Sequence, residues 1–88
     1  MSERFYLYDD IEETRTRFVS FMGEHQRFDL AIVSSSRYYG KQLVLDVQSS
    51  RFAIIGSDDL DEPGYLEHAY NLSEEEASEL RSFLHELM

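Results

Sequence analysis

Arg27-Phe28-Asp29-Leu30-Ala31-Ile32-Val33-Ser34 is the stretch on which the fold turns. Successive side chains of a strand leave on opposite faces, so Phe28, Leu30 and Ile32 share one face and Asp29, Ala31 and Val33 the other. The segment Gln42 to Gln48 alternates in the same way, with Leu43, Leu45 and Val47 expected on the inward face and Val44, Asp46 and Gln48 behind them. In Arg51 to Gly56 the residues Phe52 and Ile54 oppose Ala53 and Ile55, the pattern of a central strand covered on both faces. Upstream, Thr14 to Met22 is a longer candidate strand closed by Gly23, and Arg4 to Tyr8 is a brief aromatic run ended by Asp9-Asp10. The connections at Gly23 to Gln26, Ser35 to Gly40 and Ser49-Ser50 are too short for parallel crossovers, so the first half reads as an antiparallel meander.

After Gly56 the period changes. Ser73 followed by Glu76 forms a capping box, and Glu74, Glu75 and Glu76 sit where a helix dipole favours negative charge. Ala77, Leu80, Phe83, Leu84 and Leu87 then recur at helical spacing as one apolar stripe. Residues 63 to 70 allow two readings. Asp61-Glu62-Pro63 is a helix start and Asn71 a helix end, but Leu66, His68, Tyr70 and Leu72 also alternate as an edge strand would. The expected fold class is α+β, with a four- or five-stranded, mainly antiparallel sheet and a C-terminal helix packed on one face. One domain spans 1–88, strand-rich over 1–57 and acidic and helical over 58–88. Apolar residues on both faces of the strands exceed what one amphipathic helix covers. Either the short helix or a second copy of the chain is expected to cover the rest, which makes a homodimer one of the expected assemblies.

Charge divides along the same line. The 88-residue chain carries a formal net charge of −10, and residues 58 to 88 hold ten carboxylates against the single base Arg81. A concentrated field of one sign repels polyanions and attracts basic surfaces, so nucleic acid is an unfavoured partner and a protein with a basic surface a favoured one. Solubility alone is the competing explanation for such charge. The absence of cysteine excludes disulfides, thiolate metal sites and a Cys nucleophile, and suits a reducing compartment. The N-terminal residues lack an apolar signal region, and runs such as Leu30 to Val33 are far short of a membrane span, so a cytoplasmic protein without a membrane anchor is expected.

No motif specifies a reaction. Asp59 can be aligned with the first position of a calcium-binding EF-hand loop, but Pro63 and Tyr70 then fall where oxygen ligands are required. The segment reads as a solvated acidic turn that caps the next helix. His25, His68 and His85 lie in no ligand pattern, and Ser34-Ser35-Ser36 lacks a nucleophile elbow. Neither a phosphate-binding glycine loop nor a dinucleotide fingerprint is present among four glycines. No catalytic residue, cofactor or metal is assigned. The basic and aromatic cluster Arg37, Tyr38, Tyr39 and Lys41 could stack on bases or hold phosphate, although aromatic loops more often pack on their own sheet. Arg15, Arg17, Arg27 and Arg51 on the strands are expected to pair with Asp29 or Asp46.

The words Phe5-Tyr6-Leu7-Tyr8-Asp9-Asp10, Arg27-Phe28-Asp29-Leu30, Tyr39-Gly40-Lys41 and Asp58-Asp59-Leu60-Asp61-Glu62-Pro63-Gly64-Tyr65-Leu66-Glu67-His68 resemble a small uncharacterised family of Gram-positive bacteria, over the whole chain. The resemblance implies a bacterial cytosolic protein and brings no catalytic residue, cofactor or substrate. The functional expectation is a non-enzymatic interaction or regulatory protein that presents Asp58, Asp59, Asp61, Glu62, Glu74, Glu75 and Glu79 to a basic protein partner. The alternative is a small-ligand or nucleotide-binding domain using the Arg37 to Lys41 loop.

Overall fold

The computed structural model describes residues 3–88. Strands β1 (Arg15–Met22), β2 (Arg27–Ser34), β3 (Gln42–Asp46) and β4 (Arg51–Ile55) form one antiparallel sheet in the order of the sequence. Helices α1 (Ser57–Leu60), α2 (Tyr65–Tyr70) and α3 (Glu74–Leu87) follow. The α+β architecture expected from the strand alternation and the capping box is the one observed, with four strands among the described residues.

Pairing register sets which face is which. Ile32 stands opposite Val44, and Val44 opposite Ala53, so these residues share the face that also carries Phe28, Leu30 and Ile55. Leu60 of α1, Leu66 and Tyr70 of α2, and Ala77, Leu80 and Leu84 of α3 pack against it in one apolar cluster. All three helices therefore lie on the same side of the sheet. The other face carries Phe18, Ala31, Leu45 and Phe52 in one row across the strands, with Val33, Leu43 and Ile54 in the next, and no element among the described residues covers it.

This arrangement corrects four expectations. Val44, not Leu43, Leu45 and Val47, points into the core. Hydrophobicity favours the Leu43 and Leu45 face over the one carrying Gln42, Val44 and Asp46, and the register with Ile32 and Ala53 overrides it. β4 is an edge strand rather than a central one, and its Phe52 is 63% exposed. Arg4 to Tyr8 forms no strand: no neighbouring strand takes its hydrogen bonds, and Phe5 and Leu7 stand 91% and 88% exposed. The short helix shares its side of the sheet with α3 and leaves the second face bare.

Local chemistry explains the helical third. The Ser73 hydroxyl accepts from the Glu76 amide at 3.2 Å while the Glu76 carboxylate accepts from the Ser73 amide at 2.9 Å, which starts α3 where the capping box placed it. Residues 65 to 70 are helix, not edge strand, and Asn71 closes α2 in the left-handed conformation with φ 55°. Gly64, at φ 79°, supplies the left-handed turn that precedes it. The acidic segment expected as a turn is in part a single helical turn, α1, whose N-cap Gly56 offers no side chain. There Asp59 reaches back to the Gly56 amide instead. Tyr70 is buried beneath the sheet, where its hydroxyl donates to the Val44 carbonyl at 2.7 Å, and burial holds the phenol protonated far above its usual range.

Candidate functional site

The acids of the helical third divide into those that hold the fold and those left free. Asp59 accepts from the Gly56 amide at 2.8 Å and from the Lys41 ammonium at 3.0 Å. The amide, reinforced by Lys41, keeps its carboxyl below the ordinary aspartate value despite partial desolvation, and Asp59 in turn raises Lys41. Glu79 reaches from α3 across to the β1–β2 turn, where its Oε1 accepts from the amides of Glu24 at 2.7 Å and His25 at 3.2 Å. Gly23 makes this possible, because a Cβ there would lie 1.9 Å from Glu79 Oε2. Glu67 pairs with Arg81 at 3.1 Å, which occupies the one base of the acidic third. Asp58, Asp61, Glu62, Glu74, Glu75 and Glu86 remain exposed, with the His85 ring 3.9 Å from Asp61.

Three of these free acids converge. Asp61 and Glu62 from the α1–α2 turn and Glu74 from the start of α3 line one shallow concavity of about 480 Å³ beside the Glu67–Arg81 pair. Two separate expectations of the sequence, the acidic turn and the acidic helix start, thus meet in space.

The loop at Arg37 to Lys41 is arranged differently. Ser36–Tyr38 form a single 3₁₀ turn, and Tyr39 and Gly40 then take positive φ of 52° and 85° to reverse the chain. The Arg37 guanidinium pairs with Asp10 at 2.7 Å and Glu12 at 3.4 Å and lies 5.3 Å from the centre of the Tyr8 ring. Hydrogen bonding to Asp10 raises its pKa further. Glu12 also accepts from the Ser35 hydroxyl. Lys41 is engaged by Asp59, Tyr38 is half-buried, and Tyr39 is 94% exposed. The adjoining concavity of about 390 Å³ is lined by Ser34, Ser35, Ser36, Gly40 and Lys41 together with Glu13 and Arg15; Arg37 and both tyrosines face elsewhere. The four residues named from the sequence do not converge, and both cations already have carboxylate partners.

Sequence reasoning missed three features. Arg27 pairs with Asp29 at 3.1 Å, but along its own strand, while Arg15, Arg17 and Arg51 have no carboxylate within 4.0 Å among the described residues. Arg15 and Arg17 instead line an open cleft of about 520 Å³ with Ser34, Gln42, Glu86 and Leu87, between the sheet and the end of α3. Glu24, His25 and Glu79 can bring ligand atoms within 4.8 Å of one another. Glu79 spends one oxygen on two amides and presses the other against Gly23, so this cluster is built as a turn clamp. The third is which residues form the bare sheet face, a face whose existence the two-sided apolar pattern had already raised. Its signal was present in the sequence as apolar residues on both sides of β2 and β4, though not its location.

A four-stranded meander with its helices on one side, one acidic concavity and one uncovered apolar face is the class of domain these observations define. The chain belongs to the SAV0927-like family, whose family model matches residues 7–86. No curated protein is similar to the chain.

Proposed function

We propose that this is a non-enzymatic interaction or regulatory protein whose helical side receives a basic protein surface. The observation that supports it is the concavity where Asp61, Glu62 and Glu74 converge with no Lys or Arg partner among the described residues, since Arg81 is held by Glu67. Three carboxylates on a concave wall focus negative potential and favour lysine or arginine side chains of a partner. Asp58 and Glu75 extend the surface; Asp59 and Glu79, committed to backbone amides, shape it instead. The absence of cysteine and the resemblance of the sequence to Gram-positive proteins favour a bacterial cytoplasmic setting.

Affinity capture from a bacterial lysate at low and high salt tests this reading. A partner released by salt and lost on combined Asp61→Lys, Glu62→Lys and Glu74→Lys substitution is expected. Capture that neither salt nor the triple variant alters refutes it.

A small-ligand reading moves from the Arg37 loop to the cleft at Arg15 and Arg17, where two guanidiniums lack carboxylate partners among the described residues. Isothermal titration with inorganic phosphate and with nucleotides, repeated on Arg15→Gln/Arg17→Gln, decides it: heat lost in that variant supports the cleft, and no heat with the parent chain removes it.

A further inference from the structure

Two apolar surfaces of this molecule lack a partner, and both belong to the same chain. One is the sheet face away from the helices. The other is the N-terminal arm, residues 5–8, in which Phe5, Tyr6, Leu7 and Tyr8 are 91%, 62%, 88% and 71% exposed. The arm is not loose at its base: Asp10 and Glu12 bind Arg37 and Tyr8 lies beside the same guanidinium, so it leaves the fold from a fixed point at the end of the sheet.

We propose that the open sheet face is a homodimer interface, occupied by the same face of a second copy, with the arm of each chain lapping onto its partner. Charge singles out the second copy. On the bare face the charged residues are Arg27 and Asp29, which neutralise each other at 3.1 Å. The free acids Asp58, Asp61, Glu62, Glu74 and Glu75 stand on the helical elements behind the other face. Two molecules of net charge −10 repel in most orientations. Face to face the sheets meet on neutral apolar ground and carry the acids of the helical third outward.

Shape agrees. Phe18 and Phe52, on the outer strands, flank a shallower centre of Ala31 and Leu45, and Leu43 and Ile54 complete the patch. Two such sheets can pack about 10 Å apart with their side chains interdigitated, as in a β-sandwich. Four strands of five to eight residues present a flat face of roughly 300–400 Å², less than the ~800 Å² each partner contributes to a standard interface. An extended arm with four large apolar residues supplies much of the difference.

Sedimentation velocity of the full chain, from about 1 to about 200 μM at physiological salt, reads the assembly directly. The expected species has twice the 10.4 kDa chain mass, and raising the salt strengthens it by screening the outward acids. Phe18→Lys should raise the dissociation constant at least about 100-fold, since it buries two unpaired ammonium groups in the apolar interface. Phe18 is 79% exposed in the protomer, so circular dichroism should show that variant folded. Phe5→Ser/Leu7→Ser should weaken the dimer about 10-fold or more, and Glu75→Lys, on the helical side, should leave it intact. A monomer throughout the range, or a dimer indifferent to Phe18→Lys, overturns the proposal. A dimer abolished equally by Glu75→Lys overturns it too, by placing the contact among the acids, and indifference to the arm variant removes the arm from the interface.

Discussion

The two faces of the sheet are built from the same kinds of residue and have opposite fates. One carries Phe28, Leu30, Ile32, Val44 and Ile55, each no more than 2% exposed beneath the helices, while Phe18 and Phe52 on the other are 79% and 63% exposed. Apolar residues alone do not separate them, because β2 and β4 carry them on both sides. What separates them is the direction in which the chain leaves β4. Gly56 turns it into α1, and every later apolar residue, from Leu60 to Leu84, lands on the same side. A small domain with one helical layer can cover one face, and the second becomes a surface available to a partner.

Truncating a residue under the helices should hurt most. Leu80→Ala should cost about 2–5 kcal/mol in denaturant unfolding, whereas Phe52→Ala on the bare face, measured at high dilution, should stay within about 0.5 kcal/mol. Equal losses would mean the faces do not differ as described. Next comes the clamp that ties the helical layer to the far hairpin. Glu79→Ala should cost about 1–2 kcal/mol by leaving the Glu24 and His25 amides without their acceptor, and Gly23→Ala should cost a similar amount by displacing the same carboxylate. If Glu79→Ala is neutral, the hairpin does not depend on α3.

Acid should loosen the covered side through Asp59. Its folded pKa lies below the ordinary 3.8, so its stabilising effect is complete above that value and is lost as pH falls through the folded pKa. Thermal unfolding between about pH 5 and 2 should therefore fall less steeply for Asp59→Asn than for the parent chain. Parallel curves would show that the Gly56 and Lys41 contacts carry no linkage. The smallest effect is screening: with six of the ten acids in residues 58 to 88 lacking a cationic or amide partner among the described residues apart from the distant His85 ring, the melting temperature should rise by a few degrees between about 0.02 and 0.3 M sodium chloride. A falling temperature would mean those acids are paired after all.

Features written in adjacent residues were legible. The capping box at Ser73 and Glu76, the helical stripe of α3, the Asn71 stop and the alternation of β2 each depend on spacings of two to four residues, and each appears in the fold. Features that join distant residues were not. Glu79 meets Glu24 across 55 positions and Arg37 meets Asp10 across 27, and no local pattern announces either contact. The inverted reading of β3 has the same origin, since its register is a property of its neighbours. Of the acids expected to form a partner surface, Asp59 and Glu79 prove to hold backbone amides, a distinction that residue type and spacing do not carry.

The carboxylate of Glu79 joins a turn near the start of the chain to a helix at its end, which makes two backbone protons a clock for that helix. The amides of Glu24 and His25 sit in an exposed hairpin turn, where hydrogen exchange with solvent would be fast without an acceptor. Their protection lasts only while α3 is seated, so their exchange rate reports how often the helix lifts, separately from global unfolding. During synthesis the β1–β2 hairpin emerges long before residue 79. Its turn meets water first and its acceptor last, and the first strand pair remains unsecured until the final helix closes over the sheet.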